Sequence, residues 1–125
     1  MKTAQIEIGG ELRSLDFSRA GLNDHIETAS GKPAFQFISS LIPEKNSEGK
    51  IVERNYTLTE ISVLIYAGIN SANDVSGNNV IDFETIKRWV RSIESDKIGN
   101  VFEIVINAMS DDKGEGKSQP EQGSN

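Results

Sequence analysis

Residues 57–69 read TLTEISVLIYAGI, and the fold turns on how that stretch is taken. Thr57 and Glu60 have the spacing of a capping box, in which the Thr hydroxyl and the Glu carboxylate satisfy opposite orphan amides at a helix start. Ile61, Leu64, Ile65, Gly68 and Ile69 then recur at three and four, the period of a helix with an apolar face. The polar run from Asn70 to Asn79 reads as an interhelical loop. Asp82 is placed to cap a second helix carrying Phe83, Ile86, Trp89, Val90 and Ile93 on one stripe. Ser95-Asp96 restart the chain into a third, where Ile98, Val101, Phe102, Val105 and Met109 repeat at three and four.

Toward the N-terminus the pattern changes period. Ile6 and Ile8 alternate with Gln5 and Glu7, Gly9-Gly10 follows, and Leu12, Leu15 and Phe17 come after it. A Gly-Gly link between such runs predicts a hairpin over residues 3–17 closed by a primed turn. A lone hairpin is marginal in water, so its apolar face must pack on the helices. Between these two regions, Ser18 to Thr28 predicts a short helix with Leu22 and Ile26 inward, weakened by Gly21 and ended at Ser30-Gly31. Pro33 opens another, with Ala34, Ile38, Leu41 and Ile42 on one side, and Pro43 closes it. Residues 43–56 read as a polar loop with a brief extended piece at Ile51-Val52. Beyond Ser110 no large apolar residue occurs. The expectation is an α+β fold: one small, mainly α-helical domain over residues 1–109 with an N-terminal β-hairpin, and a disordered polar tail over 110–125.

Composition narrows the function classes. A chain of 125 residues, 36% of them apolar, suits one modest core. Thirteen Lys and Arg against nineteen Asp and Glu leave a net charge of −6, the wrong sign for a domain that neutralises phosphates, so no nucleic-acid partner is expected. There is no cysteine, hence no disulfide or thiolate metal site. MKTAQIEIGGELR lacks the apolar run of a signal peptide, and no stretch is long enough for a membrane span. A soluble, intracellular protein without a membrane partner is the expectation.

Candidate chemistry is sparse. His25 is the single histidine and reads as a surface or boundary residue. No carboxylate pair sits in an apolar run that would split two pKa values, and Gly114-Glu115-Gly116-Lys117 lacks the strand and helix of a phosphate loop. The expectation is no enzyme, no cofactor and no metal. One segment tests the last point: DVSGNNVIDFET, residues 74–85, puts Asp74, Ser76, Asn78 and Asp82 at alternating calcium-loop positions with Asn79 at the sixth. Its twelfth residue is Thr85, however, and Glu84 falls one place early, so the bidentate carboxylate is missing. A calcium-binding module is the least favoured reading. Trp89 and Phe83 suit either a core or a partner anchor.

Three stretches carry a resemblance. QIEIGGELRSLDF (5–17) runs directly into RAGLNDHIE (19–27), TEISVLIYAGINSA (59–72) ends in an aliphatic-aromatic-Ala-Gly string, and DFETIKRWVRSI (82–93) follows a polar loop. In this order they resemble the tail assembly chaperones of long-tailed bacteriophages, over most of residues 4–109 but not 33–56. The resemblance implies a non-enzymatic protein of the host cytoplasm. Such proteins bind the tape measure protein and tail tube subunits until the tube polymerises, and are absent from the finished particle. In several relatives a frameshift appends a second domain after the polar tail. It implies partner contacts at Ile61, Leu64, Ile65, Tyr66, Phe83, Ile86, Trp89 and Val90, and self-association is compatible with it. The alternative is a structural component of a phage tail or virion that lends its hairpin to a neighbour's sheet edge.

Overall fold

The computed structural model describes residues 3–41 and 56–110. The expected loop and extended piece at Ile51-Val52, the closure at Pro43 and the tail with Gly114–Lys117 lie outside the described residues. Strands β1 (Thr3–Ile8) and β2 (Glu11–Asp16) form an antiparallel hairpin with Ile8 opposite Glu11. Gly9 and Gly10 link them at φ 64° and 81°, the two positive values that a type I′ turn requires. Register sorts the faces: Ile6, Ile8 and Leu15 are buried, while Gln5, Glu7, Leu12 and Ser14 face solvent. Leu12 therefore does not join the apolar set with Leu15. It pairs with Glu7 on the outer face and is 63% exposed.

Asp16 turns the chain out of the hairpin. Its Oδ1 accepts the Ser18 amide at 2.9 Å and the Ser18 hydroxyl at 2.5 Å, and Arg19 Nε lies 3.4 Å from Oδ2. Burial pushes this carboxyl up, but the bonds from Ser18 and Arg19 outweigh it and hold the group below its ordinary value. With Ser18 so engaged, α1 (Gly21–Ser30) starts three residues later than its composition predicts, and Gly21 becomes its first residue and not an interior weakness. Gly31 ends it in the left-handed region, its amide bonding Glu27 O at 2.9 Å. Glu27 also reaches the next helix, accepting the Ala34 amide at 3.1 Å at the start of α2 (Ala34–Leu41). The buried stripe of α2 is Ala34, Phe37 and Leu41; Ile38, expected inward, is only partly buried.

The capping box is present as read. Thr57 Oγ1 accepts the Glu60 amide, and Glu60 Oε1 accepts the Thr57 amide, each at 3.0 Å. Helix α3 then runs over Leu58–Ser76, so the loop expected from Asn70 is largely two further turns of helix. The reason lies in Asn70, which is fully buried. Its Oδ1 accepts the Ile81 amide at 2.8 Å and its Nδ2 donates to Ile81 O at 2.9 Å, giving a polar side chain a satisfied place inside. Gly77, at φ 78°, ends the helix, and the Asn78 amide bonds back to Asn73 O. Every residue from Ile61 to Ser71 is buried. A helix covered on all sides is the centre of its domain, and α1, β2 and α4 pack around α3.

Asp82 caps α4 (Phe83–Arg91) as expected, accepting the Thr85 amide at 3.2 Å and the Thr85 hydroxyl at 2.6 Å. Ile93 falls just beyond this helix and packs against the core. The last element, α5 (Ile98–Ser110), lies along β1 and touches α3. The architecture is α+β, a helical domain with an N-terminal hairpin. Among the described residues no helix is long and apolar enough to cross a membrane.

Candidate partner-binding surface

Six of the eight contact residues implied by the resemblance are buried. Ile61, Leu64, Ile65 and Tyr66 on α3, with Ile86 and Val90 on α4, form the core and have no free surface to offer. Their helical spacing marked burial. Phe83 and Trp89 are partly exposed, yet both are engaged inside the fold.

Trp89 rests on the tip of the hairpin. A Cβ on Gly9 would fall 2.6 Å from two carbons of the indole, closer than any real Cβ approaches. The Arg13 guanidinium sits 4.4 Å from the ring centroid, a cation–π distance, and its Nε donates to Ile8 O at 3.0 Å. The only tryptophan thus docks a strand-turn-strand unit onto α4. Phe83 meets Tyr66 edge-on, with centroids 5.5 Å apart at 87°, and Tyr66 meets His25 at 5.9 Å and 84°. Burial raises the Tyr66 phenol above its ordinary value, and the charges of Asp82 and Asp74 raise it further.

His25 is a boundary residue with a defined partner: its Nε2 lies 2.8 Å from Asp74 Oδ2, tying α1 to the end of α3. That pairing dismantles the calcium arrangement. Asp74 and Ser76, its first two ligand positions, belong to helical turns, and Asp82 is occupied by Thr85. Among the described residues no three His, Cys, Asp or Glu gather as a metal would need. An imidazole oriented by a carboxylate is half of a general-base arrangement. Among the described residues the ring's hydrogen-bond and aromatic partners are Asp74 and the edge of Tyr66.

Apolar surface is what the described residues do present. At about 100° per residue, the apolar positions of α5 span an arc of about 200°, with Gly99, Asn100, Glu103 and Asn107 filling the rest. Only Val105 and Ala108 are buried; Ile98, Val101, Phe102 and Met109 are partly covered and Ile104 is 39% exposed. Phe102 meets Tyr56 at a tilt of 53°, with ring centroids 4.3 Å apart. Phe35, at 83% exposure, adds a further apolar point on α2. The breadth of the α5 arc was visible in residues 98–109, where polar side chains occupy one narrow strip. No family model, characterised protein or solved structure matches the chain.

Proposed function

We propose that this protein is a non-enzymatic assembly chaperone of a long-tailed phage, working in the host cytoplasm on the tape measure protein, the tail tube protein or both. The resemblance of residues 5–27, 59–72 and 82–93 supplies the family. The observation that carries the binding role is α5, whose apolar arc is about twice the width of the roughly 100° stripe that an ordinary surface helix buries. A helical client with an apolar face fits such a surface, and the acidic charge of −6 keeps the carrier soluble while it is bound.

Contact is assigned to Val101 and Ile104 on α5 in place of the buried residues of α3 and α4. The test is co-expression with the tape measure and tube proteins encoded beside it. A client that aggregates alone and stays soluble with this chain supports the reading. Clients that aggregate regardless refute it. Mass spectrometry of purified tails separates the structural alternative, because a chaperone is absent from the finished particle and a component is present.

A further inference from the structure

The outward strip of α5 has a symmetry that a client surface does not need. On a helix turning about 100° per residue, positions seven apart fall within about 20° of each other. Asn100 and Asn107 therefore form one row, and Val101 and Ala108 a second. Ile104 lies midway between the rows and midway along them. Followed from Ile104 in either direction, the helix presents an asparagine on one flank and an apolar residue on the other. Asn100, Ile104 and Asn107 are exposed, Val101 is partly covered, and Ala108 supplies a small side chain at the base of its row.

A strip that reads alike in both directions is what a two-fold axis asks of a surface, because in an isologous contact one patch meets itself. With a second copy laid antiparallel and the axis through Ile104, the two isoleucines meet at the centre. Asn100 of each copy comes beside Asn107 of the other, and Val101 beside Ala108. A side-chain amide carries donors and an acceptor, so the paired asparagines satisfy one another when covered, and they fix the register of the helices. Charge permits the approach. Glu103 is the single charged side chain of α5, and it stands about 100° round from Ile104, beyond the asparagine row. The net charge of −6 on each copy is screened over about 8 Å at physiological salt. Antiparallel helices also set the positive end of one macrodipole beside the negative end of the other.

We propose that α5 is a self-recognition surface, through which two copies of this chain pair antiparallel about a two-fold axis at Ile104. Thirteen residues make the helix about 20 Å long, less than a standard interface spans, so the dimer is weak and reversible. The pairing does not rest on the client reading. Its test needs no tail protein, so either can fail without the other.

Sedimentation velocity of the full chain from about 10 µM to about 1 mM should carry the apparent mass from 13.7 kDa toward twice that value. Ile104→Asp should stay monomeric throughout. Asn100→Glu with Asn107→Glu turns each asparagine pair into like charges and should weaken association at least about tenfold. Asn100→Glu with Asn107→Lys should restore it, since only an antiparallel pair sets those opposite charges together. Far-ultraviolet ellipticity of each variant checks folding, and the comparison of the two charged doubles decides the matter even if Ile104→Asp unfolds. A parent chain that stays monomeric at the highest concentration, or one that grows past a dimer, overturns the proposal. So does association that survives Ile104→Asp, or charged doubles that behave alike.

Discussion

Replacing Gly9 by alanine should destabilise the protein more than replacing Gly10, although the two stand side by side in one turn. Both have positive φ, 64° and 81°, where an L side chain costs about 1–2 kcal/mol. Part of that is offset by the lost freedom of glycine in the unfolded chain, worth about 0.4–1 kcal/mol. The Gly10 variant meets nothing within 4 Å and should therefore lose about 1 kcal/mol. At Gly9 the new methyl would lie 2.6 Å from the Trp89 ring, so the indole or the hairpin must move. Overpacking of this kind adds about 1–3 kcal/mol. The Gly9 variant should thus lose about 2–4 kcal/mol, with a melting temperature lower by about 4–8 °C per kcal/mol in a domain of this size. Urea unfolding followed by the emission of the single tryptophan measures both variants. Repeating the pair in a Trp89→Leu background, with unfolding followed by far-ultraviolet ellipticity because no tryptophan then remains, should shrink the excess at Gly9. Equal losses at the two glycines, or an excess that survives without the indole, would refute the docking of Trp89 on the turn.

Other expectations follow from single contacts. Asn70→Leu keeps the branched shape but strips both Ile81 backbone groups of their partner, and chemical denaturation should show a loss of about 2–6 kcal/mol, at about 1–3 for each orphaned group. Thr57→Ala removes one half of the capping box and should cost about 1 kcal/mol by the same assay. Asp16 gives a dependence on acid. Its folded pKa lies below the ordinary 3.8, so its contribution is complete above that value and is lost as pH falls through the lower folded one. Stability measured between about pH 6 and pH 2 should fall less steeply in Asp16→Asn than in the parent. Ile104→Asp on α5 should leave the melting temperature within a few degrees and abolish client retention in the co-expression assay, because surface changes typically cost under about 0.5 kcal/mol.

The features legible from sequence were those with near partners. The Gly9-Gly10 turn, the Thr57–Glu60 box and the Asp82 cap each close within a few residues, so spacing alone specifies them. The extent of α3 was hidden because Asn70 is made acceptable inside by Ile81, eleven positions on, a bond that leaves no local mark. His25 and Asp74 are 49 apart in sequence, and nothing near either foretells the pair. The burial of the contact candidates was hidden for a different reason. Period three-and-four reports that a face is covered, not whether the cover is another helix of the same chain or a partner, and for Ile61, Leu64, Ile65, Tyr66, Ile86 and Val90 it is the chain itself. For Trp89 the cover is a glycine near the other end of the chain.

That contact also bears on the order in which the molecule can assemble. The hairpin precedes the helices in sequence, yet two strands alone are barely stable, and its buried face waits for α3, α4 and α5. Bringing Gly9 to Trp89 closes a loop of about 80 residues, an entropic charge of about 4 kcal/mol if nothing between them were yet ordered. Prior packing of α1 on α3 shortens that loop. Refolding watched through Trp89 should accordingly lag behind the recovery of helical ellipticity, with the indole reporting the arrival of the hairpin turn on α4.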